Sequence, residues 1–168
     1  MTYLSSEAPS TVRSEQILRD RQGQSYRLSL SVKGDRSHFQ LYWRQTLVGE
    51  ARCLRESPER MAIGDIAIAN EVIPPPANLL MRGFRQLPGC QHPPVNYRGR
   101  GLGTALLRSM IEHSRQVGAK ELCGEVFEQD VQNCPVLLSW YERQGFERQE
   151  PQGELEVDVV ALICLAIA

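Results

Sequence analysis

The sequence predicts an α/β domain of the α+β kind, with a mixed, mainly antiparallel central sheet and flanking helices. Three observations predict this fold class. The 168 residues are about the usual size of one domain. Apolar and polar residues alternate with a period of two in the first half of the chain, and the spacing changes to three or four residues in the second half.

Composition and charge exclude several classes of protein. Hydrophobic residues make up 42% of the chain and charged residues 23%, which is typical of a globular protein. The 19 Lys and Arg residues are balanced by 20 Asp and Glu residues, so we expect no nucleic-acid partner. The longest apolar run, Val159–Ala168, has ten residues. Because a membrane span needs about 20, we expect no membrane partner.

The cysteine pattern bears on the cellular compartment. The five cysteines are an odd number and form no C-x-x-C pair, so we expect free, mostly buried thiols. Neither a disulfide framework nor a metal site is predicted. Residues 1–20 contain no basic run followed by an apolar core, the pattern of a secretory signal. Together these features predict a cytoplasmic location.

The first half predicts strands after a short leading segment. Residues 1–20 are expected to be a loosely ordered N-terminal segment with a short helix near Ser14–Arg21, and residues 21–168 a single domain. Four runs joined by short turns predict an antiparallel meander. These runs are Tyr26–Val32, Phe39–Trp43, Leu47–Leu54 and Met61–Val72.

A proline-rich segment at about residues 74–96 interrupts this pattern, with six of the ten prolines of the chain. Ordered loops of this length are uncommon, so the segment is either an insertion over a site or a disordered loop. Helical spacing follows, and predicts a helix over Arg100–Gln116 that Gly118 ends. A strand at Glu121–Phe127, a helix from Pro135 to Arg143 and a last strand at Leu155–Ile167 complete the predicted elements.

Three glycines lie within five residues at the start of the first helix. Glycine lacks the Cβ atom that would keep a ligand away from the backbone. The first-turn amides of a helix and its macrodipole attract anions. No Asp or Glu occurs between Val72 and Met110, which leaves the local charge positive. The residues that we expect to hold a phosphate or pyrophosphate are Arg98, Gly99, Arg100, Gly101, Leu102, Gly103 and Thr104.

Two common phosphate motifs do not fit this run. A Walker A loop needs a lysine after its last glycine, and none follows Gly103. A dinucleotide fingerprint follows directly on a strand, whereas Pro93–Asn96 precedes the motif here.

The run instead matches the acetyl-CoA loop Gln/Arg-x-x-Gly-x-Gly/Ala, from Arg98 to Gly103. Downstream, Asn133 is followed by a short predicted helix and by Tyr141-x-x-x-Gly145-Phe146. These two motifs, in this order, resemble those of the GNAT superfamily of N-acetyltransferases. The resemblance covers residues 61–147.

The resemblance implies a GNAT-like acyl-CoA N-acyltransferase fold with acetyl-CoA as co-substrate and no metal. It implies that Arg98 and the loop amides hold the CoA pyrophosphate and that Asn133 contacts the pantetheine arm. Pantetheine would lie where Met61–Val72 splays from Glu121–Phe127, and a backbone amide there would polarise the thioester carbonyl. Tyr141 would protonate the departing thiolate or donate a hydrogen bond to it.

Carboxylates on the predicted strands are candidates for the base that deprotonates the amine. Asp65 and Glu71 lie on one face of an ideal strand. A carboxylate among apolar neighbours would be partly desolvated, which raises its pKa toward that of an effective base. Glu125 on the neighbouring strand is a third, weaker candidate.

The implied function is transfer of an acetyl (acyl) group from acetyl-CoA to a primary amine by direct attack in a ternary complex. Two alternatives remain open: a non-catalytic CoA-binding regulatory domain, and a protein-interaction module that uses the proline-rich loop. The family places two acceptor-binding helices after its first strand, whereas only strands and turns are predicted between Tyr26 and Val72. The acceptor, a small molecule or a peptide amine, is therefore left open, and a homodimer is permitted.

Overall fold

The structure is a computed structural model that describes residues 12–70, 95–149 and 158–167. Its strands are β1 (Val12–Arg19), β2 (Ser25–Lys33), β3 (Arg36–Trp43), β4 (Thr46–Arg55), β5 (Arg60–Ile68), β6 (Glu121–Phe127), β7 (Glu147–Gln149) and β8 (Val159–Ala166). Its helices are α1 (Leu102–Gln116), α2 (Glu128–Asn133) and α3 (Leu137–Arg143).

The strands form one eight-stranded sheet in the order β1-β2-β3-β4-β5-β6-β8-β7. Antiparallel pairs join β1 to β2, β2 to β3, β6 to β8 and β7 to β8. β5 and β6 pair in parallel, which requires a crossover connection, and α1 lies in that connection. The mixed, mainly antiparallel sheet predicted from the sequence is confirmed.

The meander forms because its apolar residues alternate. In β3, Ser37, Phe39 and Leu41 are buried, and the residues between them are half-exposed. That period of two is the geometry of a strand with one covered face. Gly34 lies in the turn between β2 and β3 with a φ of 58°, a left-handed conformation that favours glycine. All four predicted strands are present as β2 to β5, with their ends shifted by a few residues.

The chain divides into two compact units. The first comprises Met1–Ala51 and Ile66–Leu107, and the second comprises Arg52–Asp65 and Arg108–Ala168. Buried apolar residues of the first unit include Tyr26, Leu28, Phe39, Leu41, Val48, Tyr97 and Leu102. Those of the second include Met61, Met110, Leu122, Val126, Phe146 and Ile163.

The helix after the glycine run follows the predicted spacing. Leu102, Leu106 and Met110 are each at most 1% exposed and recur every four residues on one face of α1. Gly118, with a φ of 78°, follows the last turn, as a left-handed C-terminal cap does. The predicted start at Arg100 is two residues early, because the left-handed Gly101 precedes the first helical residue.

The prediction of a short helix near Ser14–Arg21 is wrong. Residues Val12–Arg19 form strand β1, which pairs with β2 over eight residue pairs. Backbone hydrogen bonds to a neighbouring strand stabilise this polar segment. Such bonds do not require alternating apolar residues, so the sequence of the segment does not indicate a strand.

The prediction that all cysteines are free thiols is also wrong. Cys123 on β6 is disulfide-bonded to Cys164 on β8. The antiparallel register places these two residues directly opposite each other, and residues paired in this way point to the same face of the sheet. Their separation of 41 residues in the sequence gives no sign of this contact. Among the described cysteines, Cys53 and Cys134 are free.

Two other predicted elements differ from the structure or lie partly outside it. The helix predicted from Pro135 begins at Leu137, and a further short helix, α2, precedes it. Apart from Val95 and Asn96, the proline-rich segment at 74–96 lies outside the described residues, as does the beginning of the last predicted strand.

Candidate functional site

The glycine-rich loop, residues 97–101, leads directly into α1. Gly99 and Gly101 have φ values of 75° and 86°, so both positions require a conformation that other residues adopt only with strain. The carbonyl of Gly101 accepts the Ala105 N–H at 3.0 Å, which begins the helical hydrogen bonding. The first turn of α1 contains no acidic residue, so the positive end of the helix dipole is not neutralised from within the helix.

The loop is fastened to the end of β5. The Tyr97 N–H donates to the Ala69 carbonyl at 3.1 Å, and Nε of Arg98 donates to the Ile68 carbonyl at 3.2 Å. These two hydrogen bonds hold the loop beside the end of β5, although residues 70–96 intervene in the chain.

The turn between β1 and β2 also holds the loop, through the buried side chain of Asp20. Asp20 Oδ2 accepts the Tyr26 hydroxyl at 2.9 Å and lies 3.8 Å from Nη1 of Arg100. Its Oδ1 accepts the backbone N–H groups of Gln22 and Gln24. Sequence reasoning missed this residue, because a single Asp in a polar stretch is indistinguishable from an ordinary turn residue.

Hydrogen bonding stabilises the charged form of this carboxylate. Burial by itself would raise the pKa of Asp20, but hydrogen bonds from Gln24, Tyr26 and Gln22, with the charge of Arg100, bring the pKa below its ordinary value. Burial and the bond to Asp20 together raise the pKa of Tyr26 to about 12. Asp20 is therefore ionised, and Tyr26 is a neutral donor, at neutral pH.

The two arginines of the loop have different surroundings. The Arg100 guanidinium lies over the Tyr97 ring, 5.1 Å from its centroid, and pairs with Asp20. Arg98 is exposed. From the sequence, we expect both residues to lie beside a bound anion. In the structure, Arg100 pairs with Asp20, and Arg98 is the more exposed of the two.

In the second unit, β5 and β6 pair over a short distance and then separate. Their parallel register runs from Arg60↔Glu121 to Ile63↔Gly124, although β6 continues to Phe127. A cleft of about 300 Å³ lies at this point. Its lining residues are Glu56, Arg60, Ala62, Ile63, Gly64, Cys123, Gly124, Glu125, Phe127 and Leu162.

The glycines of the cleft permit close packing of the strands. A Cβ atom on Gly124 would lie 3.2 Å from the Cβ of Ile63, which is closer than most such contacts. Larger residues at this position would therefore push β5 and β6 apart where their pairing ends.

Tyr141 and Asn133 lie on the two short helices that follow β6. Tyr141 is buried on α3, where its ring makes edge contacts with Trp140 and Phe146 at centroid distances of 4.7 and 5.3 Å. Burial, and secondarily the charge of Asp130, raises the pKa of Tyr141 to about 12. Its phenol is therefore protonated at neutral pH. Asn133 is exposed at the last residue of α2.

The three candidate bases differ in position. Asp65 lies on β5 with a side chain that is 42% exposed, 3.9 Å from Nη1 of Arg52. The Asp65 side chain is therefore partly desolvated, and it lies beside the Arg52 cation. Glu71 lies outside the described residues. Glu125 is exposed and, unlike Asp65, lines the cleft.

No group of three or more His, Cys, Asp or Glu side chains in the described part of the chain is arranged to hold a metal ion. None of the described helices is both long and apolar enough to cross a membrane.

Comparison with known proteins supports the resemblance drawn from the two sequence motifs. Residues 95–146, which include both motifs, match the acetyltransferase (GNAT) family. No curated protein matches the chain by sequence.

Solved structures with the same fold include several acetyltransferases. A GNAT family acetyltransferase from Elizabethkingia anophelis, with acetyl-CoA bound, is 14% identical with a TM-score of 0.53, over 79% of this chain and 76% of that chain. The ribosomal-protein-S18-alanine N-acetyltransferase from Escherichia coli is 18% identical with a TM-score of 0.54, over 82% and 72%. An acetyltransferase of the GNAT family from Staphylococcus aureus is 11% identical with a TM-score of 0.52, over 80% and 69%. At these identities the likeness concerns the fold, and the predicted fold class is confirmed.

Proposed function

We propose that this chain, whose residues 95–146 match the acetyltransferase (GNAT) family, transfers an acetyl group from acetyl-CoA to a primary amine by direct attack in a ternary complex. The observation that carries the proposal is the geometry of the glycine-rich loop. Two left-handed glycines, which have no side chain of their own, lie between the end of β5 and the first turn of α1. This arrangement suits a phosphate or pyrophosphate group.

In the proposal, acetyl-CoA is held at two kinds of surface. The backbone of Arg100 to Thr104 binds the pyrophosphate, and exposed Arg98 supplies a charge beside it. Asn133 contacts the pantetheine arm. The cleft between β5 and β6 offers strand edges that have left their ladder, and pantetheine amides can pair with such edges as an added strand does.

The chemical step exchanges a carbon–sulfur bond for a carbon–nitrogen bond. The neutral amine nitrogen attacks the thioester carbonyl carbon, and a backbone amide of the cleft stabilises the negative oxygen that develops. The carbon–sulfur bond then breaks. The nitrogen loses a proton to a base or to water, and the CoA sulfur receives a proton from Tyr141. A phenol with a pKa of about 12 is fully protonated at neutral pH and is available as a donor.

The position of the cleft favours Glu125 as the proton acceptor over Asp65. Glu125 lines the cleft that would hold the thioester arm, whereas Asp65 does not line it and lies 3.9 Å from Nη1 of Arg52. Glu71 stays a candidate from the sequence alone.

Two predictions about the cellular setting stay predictions. A homodimer is compatible with the sequence. A cytoplasmic location was predicted from free thiols, but a stable Cys123–Cys164 bond is typical of an oxidising compartment. Measurement of the free energy of unfolding with and without reductant tests whether this disulfide forms.

The test of the proposal is release of CoA thiol from acetyl-CoA in the presence of a panel of amines. The panel comprises a polyamine, an aminoglycoside, a free amino acid, a peptide with a free N-terminus and a peptide with a lysine side chain. We expect thiol release that depends on one class of amine and exceeds hydrolysis without acceptor. CoA binding without turnover on any amine would indicate the regulatory alternative, and absence of CoA binding would indicate the interaction module.

A further inference from the structure

Asp20, which the sequence motifs do not include, lies at the centre of the contacts that fix the glycine-rich loop. We propose that Asp20 is a positioning residue for acetyl-CoA binding, acting through Arg100 and through the β1–β2 turn. This inference rests on the proposed function of the loop. It extends the cofactor site to the N-terminal hairpin, which lies outside the matched residues 95–146.

The carboxylate of Asp20 organises its own turn. One oxygen accepts the backbone N–H groups of Gln22 at 2.9 Å and Gln24 at 2.8 Å, and the other accepts the Tyr26 hydroxyl. The side chain is completely buried. Because three donors converge on it, the turn has one arrangement, and Asp20 has a fixed position from which to hold a partner.

That partner is the loop. The Arg100 guanidinium lies 3.8 Å from the Asp20 carboxylate and over the face of the Tyr97 ring. Its side chain is only 20% exposed, and ion pairs shielded from water are stronger than exposed ones. Arg100 therefore acts as a link between hairpin and loop, and its charge is already paired before any anion arrives.

A second link controls the direction of a loop amide. The Arg21 N–H donates to the Arg100 carbonyl at 3.2 Å. In a trans peptide the C=O and the following N–H point in opposite directions, and the described chain contains no cis peptide bond. The bond from Arg21 therefore turns the Gly101 N–H away from the hairpin.

Arg21 also covers one side of Gly101. Its Nε and Cγ atoms lie 3.3 and 3.4 Å from where a Cβ of Gly101 would be. The Gly101 N–H is thus directed to the side of the loop that the hairpin does not cover. An anion bound by loop amides gains affinity when those amides are held in place beforehand, because less conformational freedom is lost on binding.

The experiment measures CoA affinity by calorimetry, and KM for acetyl-CoA and kcat by thiol release, in the full-length protein. The variants are Asp20→Asn, Arg100→Gln and the double variant. Each single change should weaken CoA binding by roughly 10- to 100-fold, because the loop would then be held less firmly before the anion binds. KM for acetyl-CoA should rise by a similar factor, and kcat should change less than twofold. The double variant should bind CoA no more weakly than the single variant of lower affinity, because both changes break the same Asp20–Arg100 pair.

Glu15→Gln is the matched control. Glu15 pairs with Arg27 on the same hairpin, but both side chains are exposed and neither contacts the loop in the described structure. We expect unchanged CoA affinity in this variant. Arg100→Gln tests the same link from the other side if Asp20→Asn does not fold.

The outcomes separate the inference from the proposed function. Wild-type protein that does not bind CoA overturns both. Wild-type binding with equal or tighter binding in folded Asp20→Asn or Arg100→Gln overturns the inference alone. A fall in kcat at unchanged KM, or additive losses in the double variant, also overturns it, because the link would then not act through the cofactor loop.

Discussion

Oδ2 of Asp20 lies 3.8 Å from Nη1 of Arg100, in a pair whose carboxylate is completely buried and whose guanidinium is largely so. Asp20 directly follows the first strand, and Arg100 lies in the glycine-rich loop, 80 residues later in the chain. Hydrogen bonds from Tyr97 and Arg98 fasten the same loop to the end of β5. Two separate elements of the fold therefore hold the loop against which we place the acetyl-CoA pyrophosphate.

Replacement of Gly101 by Val should abolish CoA binding in a protein that still folds. The position requires a φ of 86°, and the added side chain would meet Arg21 at 3.3 Å. The strain, about 1–2 kcal/mol for a residue with a Cβ atom, would move the loop and block approach to its backbone. Calorimetric titration with CoA measures the effect.

Gly118→Val is the matched control for this change. Gly118 also has a positive φ, 78°, but no atom lies within 4 Å of an added Cβ. It should lower stability by a similar amount and leave CoA affinity unchanged. Retained CoA affinity in folded Gly101→Val would contradict the placement of the pyrophosphate.

Removal of the Tyr141 hydroxyl should lower kcat and leave CoA affinity nearly unchanged. Tyr141→Phe keeps the ring contacts with Trp140 and Phe146 and removes only the proton donor. Loss of a general acid lowers turnover by roughly 10²- to 10⁴-fold. Tyr42→Phe, on β3, removes a hydroxyl elsewhere and serves as the control. Unchanged kcat in Tyr141→Phe, with chemistry shown to limit the rate, would leave Tyr141 as a packing residue.

The sequence predicted those elements whose apolar spacing is local. The four-residue repeat of Leu102, Leu106 and Met110 identified α1, and the period of two in the first half of the chain identified strands such as β2. The glycine run and the Tyr141 motif identified the family resemblance, because both are short and contiguous. These features are determined by neighbours along the chain, which a single sequence displays.

Features that depend on distant neighbours were not predictable. β1 was taken for a helix, because its stability comes from pairing with β2. The Cys123–Cys164 bond depends on a strand register between residues 41 positions apart. Asp20 acquires its role only when the β1–β2 turn lies beside Arg100. The sequence shows the apolar neighbours of Asp65 on its own strand, but not the Arg52 cation, which comes from β4.

Below about pH 6.5, the free energy of unfolding should decrease as the pH is lowered, partly because of His113. Burial lowers the pKa of this histidine from its ordinary value of 6.5. The unfolded chain therefore takes up the proton at a higher pH than the folded chain does, so the free energy of unfolding is retained above pH 6.5 and lost as the pH falls toward the folded pKa.

Urea unfolding at pH 7.5 and pH 5.5 measures this effect. We expect wild-type protein to lose more unfolding free energy between these two pH values than His113→Gln does, whatever the stability of the variant at pH 7.5. Equal pH dependence in wild-type and His113→Gln proteins would rule out a contribution from His113.

Reducing agent should destabilise the protein through the bond between β6 and β8. A disulfide that closes a loop of this length contributes about 2–4 kcal/mol, mainly by restricting the unfolded chain. Urea unfolding of wild-type protein with and without dithiothreitol should differ by this amount. The Cys123→Ala/Cys164→Ala variant should show no such difference. If reductant does not change the stability of the wild-type protein, the disulfide is absent and the sequence-based prediction of free cysteines is correct.

Thermal unfolding with acetyl-CoA or NAD present tests whether the protein binds acetyl-CoA. Acetyl-CoA at 100 times its dissociation constant should add about 2.7 kcal/mol to the free energy of unfolding. In a protein of this size that corresponds to a rise in Tm of about 5–10 °C. NAD, whose binding motif the loop does not match, should leave Tm unchanged. Stabilisation by NAD with no effect of acetyl-CoA would contradict the account.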